Sequence, residues 1–285
     1  MKHSLWTTLL SSVAILALNA AGTSSAATLQ QIKDKGVVRI AIANEIPYGY
    51  SGLDGKAKGI GPDVAQQVMK QLGVKKIEWS TTGFSSLIPG LKAHRFDMVA
   101  AEMAILPQRC QQVLFSDPNS SYGEGLLVAK GNPDKLHSFE QFSQGQAKVA
   151  IMAGADQLEM LQALGVPQSN ILTIASNADA ISTVSTGRAS AYAATSLTVS
   201  QLAGKSPRVE AASDFSDPVV HGQPVRSWGA FAFAKDSQEL RDAFNAELAK
   251  FKSTPAWRKI MAQYGFSDAD MKASFDKKES QLCAQ

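Results

Sequence analysis

Apolar positions along the chain follow two alternating rhythms. Val37-Val38-Arg39-Ile40-Ala41-Ile42 is an almost continuous apolar run behind Gly36. It predicts a largely buried strand, preceded by a short helix over Leu29 to Lys35. Past the turn signal Asp54-Gly55, Ile60, Val64, Val68 and Leu72 recur every four residues. Pro62 near the start and Gly73 after the end complete the signature of an amphipathic helix. Ile77-Glu78-Trp79 predicts a second strand, Ser85 to Ala93 a second helix, and Met98-Val99-Ala100 a third strand. Strands alternating with helices at this spacing predict a parallel sheet covered on both faces.

The same alternation restarts in mid-chain. Lys148 to Ile151 reads as a strand, Gly154-Ala155-Asp156 as a turn, and Leu158 to Leu164 as a helix. Ile171 to Thr173 is a strand, Asn177 caps a helix containing Ile181 and Val184, and Ala191 to Ala193 is a further strand. The loop signals Gly131-Asn132-Pro133 and Ser216-Asp217-Pro218 flank this smaller unit. Beyond it come a strand over Gly229 to Phe233 and a helix carrying Leu240, Phe244 and Leu248. Thr254-Pro255 then opens a last helix that stops near Gly265, with Thr at the N-cap and Pro at the first helical position. The expected organisation is two α/β lobes, residues 27–128 with 220–285 and residues 129–219, joined by two crossings. Open α/β sheets bind ligands beyond the carboxyl ends of their strands, so a cleft between the lobes is the expected site and hinge closure the expected motion.

Residues 1–26 change the picture of where the chain works. Lys2 precedes an apolar run from Leu5 to Leu18, and Ser24-Ser25-Ala26 supplies small residues for cleavage. This is the layout of a secretory signal peptide, with no Cys at the cleavage point to carry a lipid. The expected product is an exported chain of about 260 residues, large enough for two lobes with their own cores. The formal net charge is +3, of which Lys2 supplies one unit. So small an excess, without a dense basic run, argues against nucleic acid or an anionic membrane as partner. Cys110 and Cys283 both fall in the exported part, where one disulfide is permitted; two separate thiols are the alternative. Neither has a neighbouring ligand at metal spacing, so no metal and no cofactor is expected.

A series of short motifs then carries a resemblance. In order they are Val37 to Ala43, Gly59-Ile60-Gly61-Pro62-Asp63, Phe84 to Leu91, Arg95-Phe96-Asp97, Leu106-Pro107-Gln108-Arg109, Phe115-Ser116-Asp117-Pro118 and Gly187-Arg188. Taken together they resemble the periplasmic solute receptors of polar-amino-acid ABC importers, the bacterial extracellular solute-binding proteins of family 3. Within that family, Asn44 to Tyr48, Arg109-Cys110 and Ala191 to Thr195 look most like the ectoine and hydroxyectoine receptors. The resemblance implies a two-lobed type II binding-protein fold. It also implies a monomeric, non-catalytic periplasmic protein that hands a small zwitterionic or carboxylate-bearing solute to a membrane permease.

The resemblance also assigns a site. Arg109 would hold the ligand carboxylate with its planar fork of donors. Gly154, Ala155 and Asp156 would supply the other half of that grip through backbone amides at a helix start, although Asp156 could simply cap its helix. Tyr48 and Phe84 would wall the pocket and attract a desolvated cation. Glu45 and Glu102 could answer the positive end of a zwitterionic ligand, although an acid at position 102 could instead pair with a neighbouring Lys or face solvent. Ala104 and Thr195 depart from the pattern of α-amino-acid receptors, which place a hydroxyl and a carboxylate there; Thr195 retains a hydroxyl. Two rivals remain: an enzyme of dehydratase type on the same scaffold, with Glu102 as its acid–base group, and a sensory domain serving a signalling partner.

Overall fold

The computed structural model describes residues 27–284 except His221, so the expected signal peptide lies outside the described residues. Helix α1 (Leu29–Lys35) leads into strand β1 (Val37–Ile42), followed by a hairpin of β2 (Tyr50–Ser51) and β3 (Ala57–Lys58). Then come α2 (Ile60–Gln71), β4 (Lys76–Thr81), α3 (Leu87–Lys92), β5 (Met98–Ala104), α4 (Pro107–Cys110), β6 (Leu114–Phe115) and β7 (Ser120–Tyr122). Ile60, Val64 and Val68 on α2 are buried against the sheet, as their four-residue spacing requires.

The second lobe holds β8 (Glu124–Ala129), β9 (Val149–Met152), α5 (Gln157–Ala163), β10 (Ile171–Ile174), α6 (Ala178–Ser185), β11 (Ala191–Thr195), α7 (Ser196–Ala203) and β12 (Val209–Ala211). A hairpin of β13 (Val219–Val220) and β14 (Gln223–Pro224) precedes the return strand β15 (Ser227–Phe233). Helices α8 (Gln238–Lys252), α9 (Pro255–Gln263), α10 (Asp268–Ala273) and α11 (Glu279–Cys283) complete the first lobe. Thr254 accepts from the Trp257 amide at 3.3 Å and Pro255 occupies the first position of α9, as expected from the sequence.

The sheets are mixed, which corrects the expectation of purely parallel ones. In the first, ordered β4-β1-β5-β15-β6, β1 runs parallel to β4 and β5. The long return strand β15 enters antiparallel to β5, β6 and β7. In the second, ordered β10-β9-β11-β8-β12, β8 is antiparallel to both β11 and β12. Each sheet is packed on both faces by its own apolar clusters.

The first crossing also differs from the expected boundary at 128, whereas the expected boundary at 219 falls within the return segment. Only Gly123 separates β7 in the first sheet from β8 in the second. The return runs between β12 and β15, and Asp217 on it accepts the Glu124 amide at 2.9 Å, tying the two crossings together. The turn at Gly131-Asn132 follows β8 within the second lobe: turn chemistry there marks a chain reversal rather than a lobe boundary. Cys110 and Cys283 are joined in a disulfide that fastens α11 to α4.

Candidate functional site

A small cavity lies between the lobes, beyond the carboxyl ends of β5, β9 and β11. Glu45, Tyr48, Phe84, Glu102 and Ala104 face it from the first lobe, and Met152, Ala155, Asp156, Gln157 and Thr195 from the second. Seven of the nine expected ligand contacts line this cavity, and the other two, Arg109 and Gly154, flank it in an adjoining pocket; their geometry differs in several respects from expectation.

Arg109 is buried on the one-turn helix α4, where Pro107 opens the turn. Its Nη1 donates to the Ala104 carbonyl at 3.0 Å and its Nη2 to the Gly154 carbonyl, across the cleft, at 2.9 Å. The guanidinium carbon sits 5.5 Å from the Phe84 ring centroid. Arg109 therefore lies beside the main cavity, lining an adjoining pocket with Phe84, Ser85 and Gly154. One face of Phe84 is taken by this guanidinium rather than left for a ligand.

The turn before α5 is less of an anion cradle than the sequence suggests. The Ala155 amide donates back to the Met152 carbonyl at 3.1 Å, which withdraws it from any ligand. Asp156 makes no side-chain cap; its Oδ2 instead accepts from Ser227 Oγ at 3.1 Å. Gly154 has a φ of +82°, and a Cβ there would come within 3.0 Å of Ser85 Cα on the opposite lobe. Glycine permits that approach at both counts.

Thr195 ends β11 and caps α7, accepting from the Thr198 amide at 3.2 Å. Its Oγ1 also accepts from the Tyr48 hydroxyl at 2.7 Å, and the Tyr48 ring packs on Tyr122 at 5.2 Å. Thr198 reaches across as well, donating from Oγ1 to the Ile46 carbonyl at 2.9 Å and towards Glu45 at 3.3 Å. Asn177, expected as a capping side chain, accepts from the buried Tyr192 hydroxyl instead.

Glu102 projects from a bulge in β5 with φ of +48°, a conformation that carries a cost for a non-glycine residue. Asn119 donates to its Oε1 at 2.9 Å and Ser120 to its Oε2 at 2.6 Å. Burial pushes its carboxyl up to about 7 against the pull of those two donors. Burial likewise pushes Glu45 up to about 7.

The sequence reading missed Glu124, at the start of β8, whose Oε2 accepts from Gln157 at 2.7 Å. Burial and then the neighbouring Asp156 hold its carboxyl well above the ordinary range. Its one local signal is an acid set between Gly123 and Gly125 at the head of an apolar strand. Tyr122, Met152, Gln157 and Tyr192 complete the walls and were also missed, because each reads as ordinary core.

The sequence profile of the bacterial extracellular solute-binding proteins, family 3, matches residues 38–267. The chain is 54% identical over 263 residues to the probable amino-acid ABC transporter periplasmic-binding protein y4tE of Sinorhizobium fredii, covering 92% of this chain and 87% of that one. It is 25% identical to the lysine/arginine/ornithine-binding periplasmic protein of Escherichia coli, over 76% of this chain and 83% of that one. Among solved structures it is similar to EhuB in complex with hydroxyectoine, with a TM-score of 0.81 and 34% identity over 90% of this chain and 97% of EhuB. The ancestral amino-acid-binding protein AncCDT-1, a precursor of cyclohexadienyl dehydratase, follows at a TM-score of 0.72 and 30% identity, over 83% and 98% of the two chains.

Proposed function

The chain belongs to the bacterial extracellular solute-binding proteins of family 3, and we propose that it is the periplasmic capture subunit of an ABC importer. In this reading it encloses a small carboxylate-bearing solute with a cationic group between its lobes and delivers it, chemically unchanged, to a membrane permease. One observation carries the reading: a cavity at the strand ends combines aromatic walls with buried carboxylates and has a buried guanidinium at its edge. Arg109 keeps donors to spare beyond the two it gives to carbonyls, enough to take a carboxylate. Tyr48 offers an aromatic wall, and Glu45 and Glu102 answer the cation. Ala155, Asp156 and Thr195 close the site from the second lobe, with Gly154 setting how near the lobes approach.

Glu102 is the observation that favours an enzyme, because a carboxyl near 7 suits acid–base work at neutral pH. One experiment separates the two. Purified protein is screened by thermal shift and calorimetry against ectoines, betaines, amino acids, opines and polyamines, and each ligand that binds is incubated and analysed by mass spectrometry. Saturable stabilisation that grows with ligand concentration and leaves the ligand intact is expected. Conversion of a bound solute to product refutes the capture role.

A further inference from the structure

We propose that the first lobe carries a second binding pocket on its outer face, which takes a small organic carboxylate. The anionic head of that ligand meets Lys252 and Lys277, and its apolar body lies against Phe275. The pocket is separate from the cleft and does not rest on the capture reading above.

Three segments of the chain meet to form it. Asn245, Leu248 and Lys252 line it from the last turns of α8, Pro118 from the segment before β7, and Phe275 and Lys277 from the segment between α10 and α11. None of these residues lines either pocket of the cleft. Leu248 and Pro118 are buried, whereas Phe275 is 51% exposed and stands edge-on to Trp257 at 5.6 Å. Apolar walls with a few convergent polar groups are the usual makeup of a small-molecule site.

Lys252 supplies the polar end. Only 6% of it is exposed, yet no carboxylate forms an ion pair with its ammonium among the described residues. Its Nζ donates to the Pro118 carbonyl at 2.6 Å and to the Ser274 carbonyl at 3.0 Å. An ammonium has three donors, and the third is left with the Phe275 ring, whose centroid is 4.0 Å from Nζ. Buried charges are normally paired, so this amine lacks a counter-ion. Burial lowers it to about 7 against the attraction of Glu102 and Asp117. Both acids are committed elsewhere. Glu102 accepts from Asn119 and Ser120, and Asp117 accepts from Lys278 at 2.9 Å and from the Glu279 amide at 3.1 Å.

Charge at the pocket is therefore one-sided. Lys252, Lys277 and Lys278 face a single carboxylate, that of Asp117, which Lys278 already answers. Asn245 accepts from the Asp117 amide through Oδ1 at 2.7 Å, which leaves its Nδ2 donors for an occupant. A carboxylate accepts several donors at once, and its bonds to charged N–H groups are the strong ones. A bare inorganic anion would leave the Phe275 and Leu248 walls unused, which favours an organic acid.

The test sets benzoate, 3-phenylpropanoate and isovalerate each against its neutral amide, by calorimetry at pH 7.5. At least one acid should bind saturably and at least tenfold more tightly than its amide. Binding should take up protons, because the carboxylate holds Lys252 in its charged form. Apparent enthalpies in buffers of different ionisation heat read that uptake, and proton release removes Lys252 from the site. Lys277→Gln should weaken the acid at least threefold, and Lys252→Met should abolish its binding. Arg109→Ala, which disables the carboxylate grip of the cleft, should leave it unchanged. If Lys252→Met does not fold, Lys277→Gln at its partly exposed position decides alone. Failure of all three acids to bind overturns the pocket, as does equal binding of acid and amide. An acid whose affinity falls in Arg109→Ala is held by the cleft and counts against the pocket, as does one untouched by Lys277→Gln.

Discussion

The buried acids make a prediction about stability that needs no ligand. Glu45 and Glu102 each have a folded-state pKa near 7, against an ordinary value of 4.5, because burial favours their neutral forms. Between about pH 4.5 and 7 the folded chain therefore holds more protons than the unfolded chain, and stability falls as pH rises through that window. At about 1.4 kcal/mol per unit, a shift of this size amounts to roughly 3 kcal/mol for each group. Partial relaxation and water penetration reduce this, so about 3 kcal/mol for the pair is a reasonable expectation. For a chain of this size that corresponds to a fall of about 6–12 °C in Tm between pH 5 and 7.

Glu124 is shifted in the same direction and adds to the slope. Lys252 acts on the other side of neutrality: burial lowers its amine from 10.5 to about 7, so the folded chain binds fewer protons between about 7 and 10.5, and stability rises with pH there. The ligand-free protein should therefore show a stability minimum near neutral pH, read by scanning calorimetry from pH 5 to 9. Glu45→Gln combined with Glu102→Gln should flatten the falling limb. At Glu102 the amide keeps an oxygen for Asn119 and meets a Ser120 hydroxyl able to accept. A Tm that is constant or rising between pH 5 and 7, or a double variant that keeps the full slope, refutes the reasoning.

Three further outcomes follow from the geometry. Arg109→Ala removes the bonds to Ala104 and Gly154 and the stack on Phe84, and should weaken binding of carboxylate ligands at least a hundredfold by calorimetry. Arg109→Lys should recover little of that, since an ammonium cannot span the same fork. Gly154→Ala forces a side chain against Ser85 at a positive φ and should weaken affinity chiefly through faster release, measured by stopped-flow. Replacing Cys110 and Cys283 by Ser opens a cross-link between residues 173 positions apart, which loop-closure arguments value at about 5 kcal/mol. A Tm lower by roughly 10 °C is expected; an unchanged Tm contradicts that value.

Much of the fold was legible because periodicity reports burial directly. Helix α2 and strand β1 are read almost residue for residue from Ile60, Val64 and Val68 and from the Val37–Ile42 run. Strands β6 and β7 were not, since two or three residues carry no period. The direction of β15 was not legible either. Its apolar run is the same whichever way it pairs, so the antiparallel entry leaves no local trace. The first crossing escaped notice because a lone Gly123 between two strands gives none of the composition shift that a longer linker would.

The site was legible in its parts and illegible in its sum. Arg109, Phe84 and Tyr48 could be placed by motif, and with them came the expectation of an ectoine-like zwitterion held by aromatic faces. The sign of the site depends on four acids supplied by four separate segments: the loop after β1, the bulge in β5, the head of β8 and the start of α5. No local pattern says that Glu45, Glu102, Glu124 and Asp156 meet, and a single acid in a strand looks the same whether it faces solvent or a ligand. Once they converge, the balance of forces changes. Arg109 already covers one face of Phe84, which weakens the case for a purely aromatic cage. Tyr48 and the acids then work together, because an aromatic face and a carboxylate both favour a cation withdrawn from water.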